Sequence, residues 1–231
     1  MSAGTQSRGS DQNPYVVSDN NQMFDFVLPP HELNEEIMTK LTRADLWSLE
    51  DYSVNRPEFR AQVLAHKKDR QLQLNEHARL LFEDALTLKY QIQEMLRIEK
   101  VFEAAGIQEE LDAYNPLIPD GDNWKATFMI EYEDVEERKL RLTELKNVED
   151  LIWMRVDGHD KVYAIADEDM DRENDTKTSS VHFVRFQLAP EMVAAAKAGA
   201  VLFAGCDLEG FRIGPLQVPD NVARSLRNDL A

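Results

Sequence analysis

From Leu41 to Leu117 the apolar residues recur at the three- and four-residue spacing of helices, and beyond Gly121 they alternate with period two. The helical half opens at Thr42, which with Asp45 makes an acidic version of a capping box and predicts a short helix to about Tyr52. Asn55-Arg-Pro57-Glu58 predicts a second helix with Pro57 in its first turn, where a missing N–H does no harm. Phe59 and Val63 supply its apolar side. Gln71-Leu-Gln-Leu74 alternates and predicts a brief extended stretch. A long helix is then expected from Glu76 to Ala105, weakened near Asp84–Thr87 and closed by Gly106 as its C-cap. Asn115-Pro-Leu-Ile-Pro-Asp-Gly121 breaks the pattern.

In the second half Ala126, Phe128, Ile130 and Tyr132 alternate with polar or flexible neighbours. Leu151–Val156 and Lys161–Ala166 flank Asp157-Gly158, a hairpin signal. Val181–Leu188 and Ala200–Cys206 read as further strands. Helices are expected at Val135–Leu145, at Pro190–Ala198 closed by Gly199, and at Pro219–Leu230. The fold class is therefore α+β: an N-terminal helical region packed on a mostly antiparallel sheet with additional helices. The organisation is a largely disordered extension over residues 1–40, a helical region over 41–118 and an α+β region over 119–231, the last two able to form one compact domain. Within the extension, Met23-Phe-Asp-Phe-Val-Leu28 is a short apolar patch, and Met38 is a candidate native start beside Met1.

One acid disturbs the helical pattern. Leu81, Leu88, Ile92, Met95, Glu99 and Phe102 fall on one stripe of the expected long helix, which places Glu99 among hydrophobes. A buried carboxylate has to be paired or hydrogen-bonded, because leaving it bare in an apolar site costs several kcal/mol or more. Arg60, His66, Lys67 and Arg97 are its candidate counter-charges. Glu94 and Arg97, three apart on another face, can pair with each other. His182 alternates onto a strand face with Val184, Phe186 and Leu188. The candidate polar centre is thus Arg60, His66, Lys67, Glu94, Arg97, Glu99 and His182.

Charge narrows the classes of function. The 231 residues carry 43 acids against 26 Lys and Arg, a net charge of -17, and neither half is basic. A phosphate-tracking surface lacks its raw material, so no nucleic-acid partner is expected. No apolar run approaches the ~18 residues of a membrane span, and no signal segment opens the chain, so the reading is a cytoplasmic protein without a membrane partner. The single Cys206 excludes an intrachain disulfide and a cysteine-ligated cluster. Asp207 beside it raises the thiol pKa instead of activating it.

Familiar site patterns are missing or incomplete. A ferritin-like di-iron site needs Glu-x-x-His on two helices, which Glu76, Glu83 and Glu94 do not supply. Asp167-Glu-Asp169-Met-Asp171-Arg-Glu173-Asn-Asp175 follows the spacing of a calcium loop, but Arg172 stands where the turn demands Gly and Thr178 where a bidentate Glu is needed. No phosphate loop or nucleophile elbow is found. No cofactor is assigned.

Several segments do match a known family. Arg56-Pro-Glu-Phe-Arg60 with His66-Lys67, Phe82-Glu-Asp84, Tyr90-Gln-Ile-Gln-Glu-Met-Leu-Arg97 and Glu110-Leu-Asp-Ala-Tyr-Asn-Pro-Leu-Ile-Pro119 resemble the bacterial domain-of-unknown-function family numbered 3501. Ile165-Ala-Asp-Glu-Asp169, Lys177-Thr-Ser-Ser-Val-His-Phe183 and Lys197-Ala-Gly-Ala200 fit it too, so the resemblance runs from about Leu41 to the C-terminus. It implies no established activity. It does imply a redox setting, since relatives are associated with neighbours resembling rubrerythrin and an iron–sulfur oxidoreductase. Where relatives are expected to read Gly-x-Asp-His, this chain has Gly205-Cys-Asp-Leu208, which lowers the case for a shared metal site at Asp207.

Two functional readings follow. The first is a non-catalytic accessory or interaction protein that binds a redox partner, rubrerythrin-like or an iron–sulfur oxidoreductase, through its helical half. The second is an enzyme, or a small-ligand or metal-binding protein, with a polar pocket between the helices and the sheet. A homo-oligomer is compatible with either.

Overall fold

The computed structural model describes residues 40–166 and 178–231. The patch at Met23–Leu28, Met38 and the acidic loop from Asp167 to Asp175 lie outside the described residues. Seven helices and nine strands are present among those described.

Thr42 and Asp45 form the expected reach-back, Asp45 accepting from the Thr42 backbone N–H at 2.7 Å, but they cap only a 3-10 turn at Arg43–Asp45. Helix α1 then runs unbroken over Leu49–Lys67, capped by Ser48, whose Oγ accepts from Asp51 N at 3.0 Å. Pro57 therefore sits inside a helix and does not open a second one. An interior proline costs about 3 kcal/mol. Tyr52 on one side of it and Phe59 and Val63 on the other are all buried, and each such side chain contributes about 1.5–3 kcal/mol, so packing overrides the break.

The expected long helix from Glu76 to Ala105 is the main correction. Gln71–Asn75 (β1) and Ala78–Phe82 (β2) form an antiparallel hairpin instead, and only Ala85–Glu99 (α2) and Ala104–Tyr114 (α3) are helical. Ala78, Leu80 and Phe82 alternate inward. Asp84 is the N-cap of α2, its carboxylate accepting from Thr87 N at 2.9 Å while its own N–H donates to Thr87 Oγ1 at 3.0 Å. The low-propensity stretch was thus a helix start. At the other end Lys100 adopts the left-handed conformation that stops α2. Gly106 is not that C-cap but lies inside α3, where an added Cβ would come within 2.7 Å of Val101 Cγ1.

The hairpin joins the second half of the chain directly. Strand β2 pairs along its whole length with β3 (Asn123–Ile130), and β3 pairs with β7 (Val181–Gln187), so the five-stranded sheet has the order β1-β2-β3-β7-β6. Strand β6 is Ile165–Ala166. A four-stranded sheet, β5-β4-β8-β9, is built from Ile152–Val156 (β4), Lys161–Tyr163 (β5), Leu202–Cys206 (β8) and Ile213–Gln217 (β9). All the strand pairs are antiparallel. Strands β5 and β6 are separated only by Ala164, whose N–H donates to Ile152 O at 2.8 Å, so one bent segment serves both sheets. At the opposite edge β1 and β9 approach each other. Between the sheets lies one continuous core containing Phe82, Trp124, Phe128, Met154, Phe186 and Leu202. Helix α7 (Asp220–Arg227) closes it with Val222, Ala223 and Leu226, and Trp124 Nε1 donates to Leu226 O at 2.8 Å. The remaining helices are α4 (Val135–Glu144), α5 (Val148–Leu151) and α6 (Pro190–Lys197). Among the described residues no helix is long and apolar enough to cross a membrane.

Candidate functional site

The residues proposed as one polar centre do not meet: five of them divide among three separate clusters, and Glu99 and Arg60 are exposed. Glu99, the residue on which that centre rested, is exposed at the last position of α2, and Phe102 beyond it is exposed too. The physical reason is the turn at Lys100: the helix ends before the stripe reaches Phe102, so the buried face is Ala85, Leu88, Ile92 and Leu96. The polar group that does enter this face is Gln93. Its Oε1 accepts from Trp47 N at 2.7 Å and its Nε2 donates to Trp47 O at 3.4 Å, which ties the N-terminal turn to α2. Arg60 is exposed on α1.

Glu94 and Arg97 lie in the first cluster. Arg56 grips Glu94 with two parallel bonds, Nε to Oε1 at 2.7 Å and Nη2 to Oε2 at 2.8 Å. Arg97 forks onto the same carboxylate at 3.3 and 3.1 Å, and Tyr52 Oη donates to Oε1 at 2.7 Å. Bidentate arginine–carboxylate pairs are among the strong charge-assisted hydrogen bonds. The Arg56 bonds, with Arg97 and Tyr52, overcome partial burial and hold Glu94 down to about 2. Burial and the Glu94 charge push the Tyr52 phenol well above its ordinary value. Trp47, Phe59 and Tyr90 pack beside this network, with Lys67 over the Tyr90 ring.

His66 belongs to the second cluster, which is more deeply buried and centres on Arg70. Arg70 Nη1 and Nη2 donate to the two oxygens of Asp229 at 3.0 and 2.7 Å, across 159 residues of chain. The same guanidinium donates to the carbonyls of Phe82 and Glu83 and lies 3.2 Å from Asp84 Oδ2. His66 Nε2 meets that Asp84 oxygen at 2.5 Å. Arg70, Asp84 and Asp229 are almost completely shielded from water. Burial drives Asp84 upward, but Arg70, His66 and the Thr87 amide outweigh it and leave its pKa below the ordinary value. For Asp229 burial wins over Arg70 and lifts the carboxyl to about 6.

His182 forms the third. It is fully buried behind Phe128, with Nε2 at 2.9 Å from Thr178 Oγ1 and 3.0 Å from Ser179 O. Thr178 Oγ1 donates to Glu149 Oε2 at 3.0 Å, so it accepts from His182. This arrangement pins the chain where β7 begins. Cys206 is buried and its thiol is pushed up to about 11, first by desolvation. Asp207 accepts from Lys161 at 2.7 Å and Tyr163 at 2.6 Å. Among the described residues no three His, Cys, Asp or Glu side chains converge as metal ligands.

In all three clusters the protein's own groups saturate one another. Among the described residues, one place where large apolar side chains stand exposed next to each other is the turn joining α2 to α3. Ile98 and Phe102 stand 60% and 71% exposed on it, while Val101 packs against the buried cluster of Ile92, Leu96 and Leu111. Glu99, Glu103 and Glu109 are exposed around them, and Glu110 has its pKa raised by burial and by the charges of Glu99 and Glu109. These apolar tips, with Arg97 and Lys100 exposed beside the acids, were missed at the sequence level because Phe102 was assigned to a buried stripe.

The comparisons with known proteins agree with the family segments. The model of a family described as "Protein of unknown function (DUF3501)" matches residues 40–230. The chain is similar to a crystal structure of a novel protein of unknown function from Burkholderia pseudomallei, with a TM-score of 0.80 and 50% identity, over 84% of this chain and 100% of that one. No curated protein matches it. The chain belongs to the DUF3501 family.

Proposed function

We propose that this member of the DUF3501 family is a non-catalytic accessory protein that docks on a redox partner through the tip of its helical half. The reading is carried by the exposed pair Ile98 and Phe102 at the α2–α3 turn, bordered by Glu99, Glu103 and Glu109. Aromatic side chains are preferred anchors at interface centres, and charges at the rim steer the approach. The chemistry that fits is an apolar socket rimmed by Lys and Arg. The saturation of Glu94, Asp84 and Asp229 by arginines supports a structural role for the buried charges. The resemblance that links relatives to rubrerythrin-like and iron–sulfur proteins supplies the redox character of the partner.

The test is capture from the native host at low and high salt, with the full chain and with an Ile98→Ser, Phe102→Ser double variant. An iron-containing partner bound stoichiometrically by the full chain, released by salt and lost with the double variant is the expected result. Equal capture by both forms, or a partner without iron, would overturn the docking site or the redox link respectively.

A further inference from the structure

Where helix α1 ends, its last turn and the β1–β2 hairpin enclose a cleft of about 230 Å³ beside the Arg70 knot. Leu64 on the helix and Leu81 and Phe82 on β2 give it apolar walls, and Lys67, Lys68 and Gln71 stand around them. Gln71 is the register partner of Leu81, so the two side chains share one face of the hairpin. Leu64 is 42% exposed, which leaves its side of the cleft open to solvent.

The buried charges of this cleft are engaged, and the outer ones are not. Arg70 is committed to Asp229 and to two carbonyls, and the Glu83 carboxylate accepts from the Thr87 and Thr127 hydroxyls at 2.6 and 2.9 Å. Among the described residues neither Lys67 nor Lys68 pairs with a carboxylate. The Lys67 ammonium lies 5.9 Å from the centre of the Tyr90 ring, at the outer limit of about 6 Å for a cation–π contact. Nor are the lysines spent on capping the helix: the carbonyls of Ala65, His66 and Lys67 accept from the backbone N–H groups of Lys68, Asp69 and Arg70. Asp69, the nearest acid in sequence, accepts from Asn221 Nδ2 at 2.8 Å. Arg60, one turn before Leu64, is exposed and likewise pairs with no carboxylate among the described residues. On a chain of net charge -17 this side of α1 is a local reversal of sign, and it attracts anions.

Helical spacing sets how an anion is held there. Leu64 lies three residues before Lys67 and four before Lys68, and side chains on a helix lean towards its N-terminus, so both lysine stems run back over Leu64. Lysine is a point charge on a flexible stem and converges on an anionic head without the fixed fork of arginine. A head held by the two ammoniums has the apolar walls directly beside it for a tail. A water takes up about 30 Å³ of the liquid, so the cleft accepts about seven or eight groups of that size, the bulk of a carboxylate of about six carbons. We infer that this cleft binds a short aliphatic carboxylate, its head between Lys67 and Lys68 and its chain against Leu64 and Leu81. The α2–α3 tip takes no part, so the two readings stand or fall separately.

NMR titration of the full chain with hexanoate, acetate, inorganic phosphate and hexylamine tests head and tail separately, with the methyl signals of Leu64 and Leu81 reporting the position. Hexanoate should shift those signals saturably and bind at least about tenfold more tightly than acetate or phosphate, which lack the tail, and than hexylamine, which carries the wrong charge. A Lys67→Gln, Lys68→Gln double variant should weaken hexanoate at least about tenfold and erase its advantage over hexylamine. Leu64→Ser should shrink the advantage over acetate. All three side chains are half or fully exposed, so these variants keep the fold. Absence of saturation, shifts confined to residues outside the cleft, acetate or phosphate binding as tightly as hexanoate, or hexanoate binding undiminished in the double variant would overturn the assignment.

Discussion

The Arg70 and Glu94 clusters use the same chemistry at different depths. Each is a guanidinium–carboxylate knot, but Glu94 sits near the rim of the helical half with two arginines around one acid, whereas Arg70 sits in the interior with two acids around one arginine. Near water the excess of cation drives Glu94 down to about 2. Away from water desolvation raises both acids: at Asp229 it outweighs Arg70 and lifts the carboxyl to about 6, whereas at Asp84 Arg70, joined by His66 and the Thr87 amide, outweighs it and leaves the pKa below the ordinary value. Depth and stoichiometry together decide whether an ion pair resists acid or alkali.

The sharpest way to break the comparison is Arg70→Met. It leaves two buried acids without their cation, and removing one partner of a buried pair costs about 3–5 kcal/mol. Urea denaturation at neutral pH should show that loss; a change below about 1 kcal/mol would contradict the enclosure of the knot. Glu94→Gln should cost on the order of 3 kcal/mol at neutral pH, the lower end of that range, by the conversion of its pKa shift. The folded pKa lies below the ordinary 4.5, so the stabilisation is complete above that value and is lost as pH falls towards about 2. The variant should therefore lack that acid limb in a pH series of denaturation midpoints.

Asp229 contributes with the opposite sign. Its folded pKa of about 6 lies above the ordinary 3.8, so its stabilisation is full below 3.8 and is lost as pH rises through about 6. In Arg70→Met the Asp229 carboxyl should titrate higher still, which its carbon-13 shift would report. Last comes Glu99→Gln at the exposed end of α2, where the denaturation midpoint should move by less than about 0.5 kcal/mol. A loss of several kcal/mol would restore the buried acid that the helical stripe suggested.

The strands and helices after Gly121 were legible because their signals are local. Asp157-Gly158 turns the β4–β5 hairpin, and the Val181–Gln187 alternation is strand β7. Strand β9 and the short helix α5 lacked such a signal. The segment from Glu76 to Phe82 was misread because Ala78, Leu80, Leu81 and Phe82 satisfy both periods, and only the ladder with β3 selects the strand. The error moved Glu99 inward on paper and hid Asp84, whose capping box with Thr87 was visible in the sequence. The Glu94–Arg97 pair was readable from its helical spacing, while Arg56 as its stronger partner was not. Arg70 and Asp229 have no neighbouring pattern to announce them. Pairing across 159 residues is a property of the closed fold.

That long reach has a consequence for the order of assembly. On the ribosome Arg70 emerges well before Asp229, and the hairpin beside it cannot complete its polar neighbourhood until α7 has been made and folded over it. Contacts of high sequence separation slow folding, so the nascent chain should wait in a partly open state, with an unpaired guanidinium as its weakest seam.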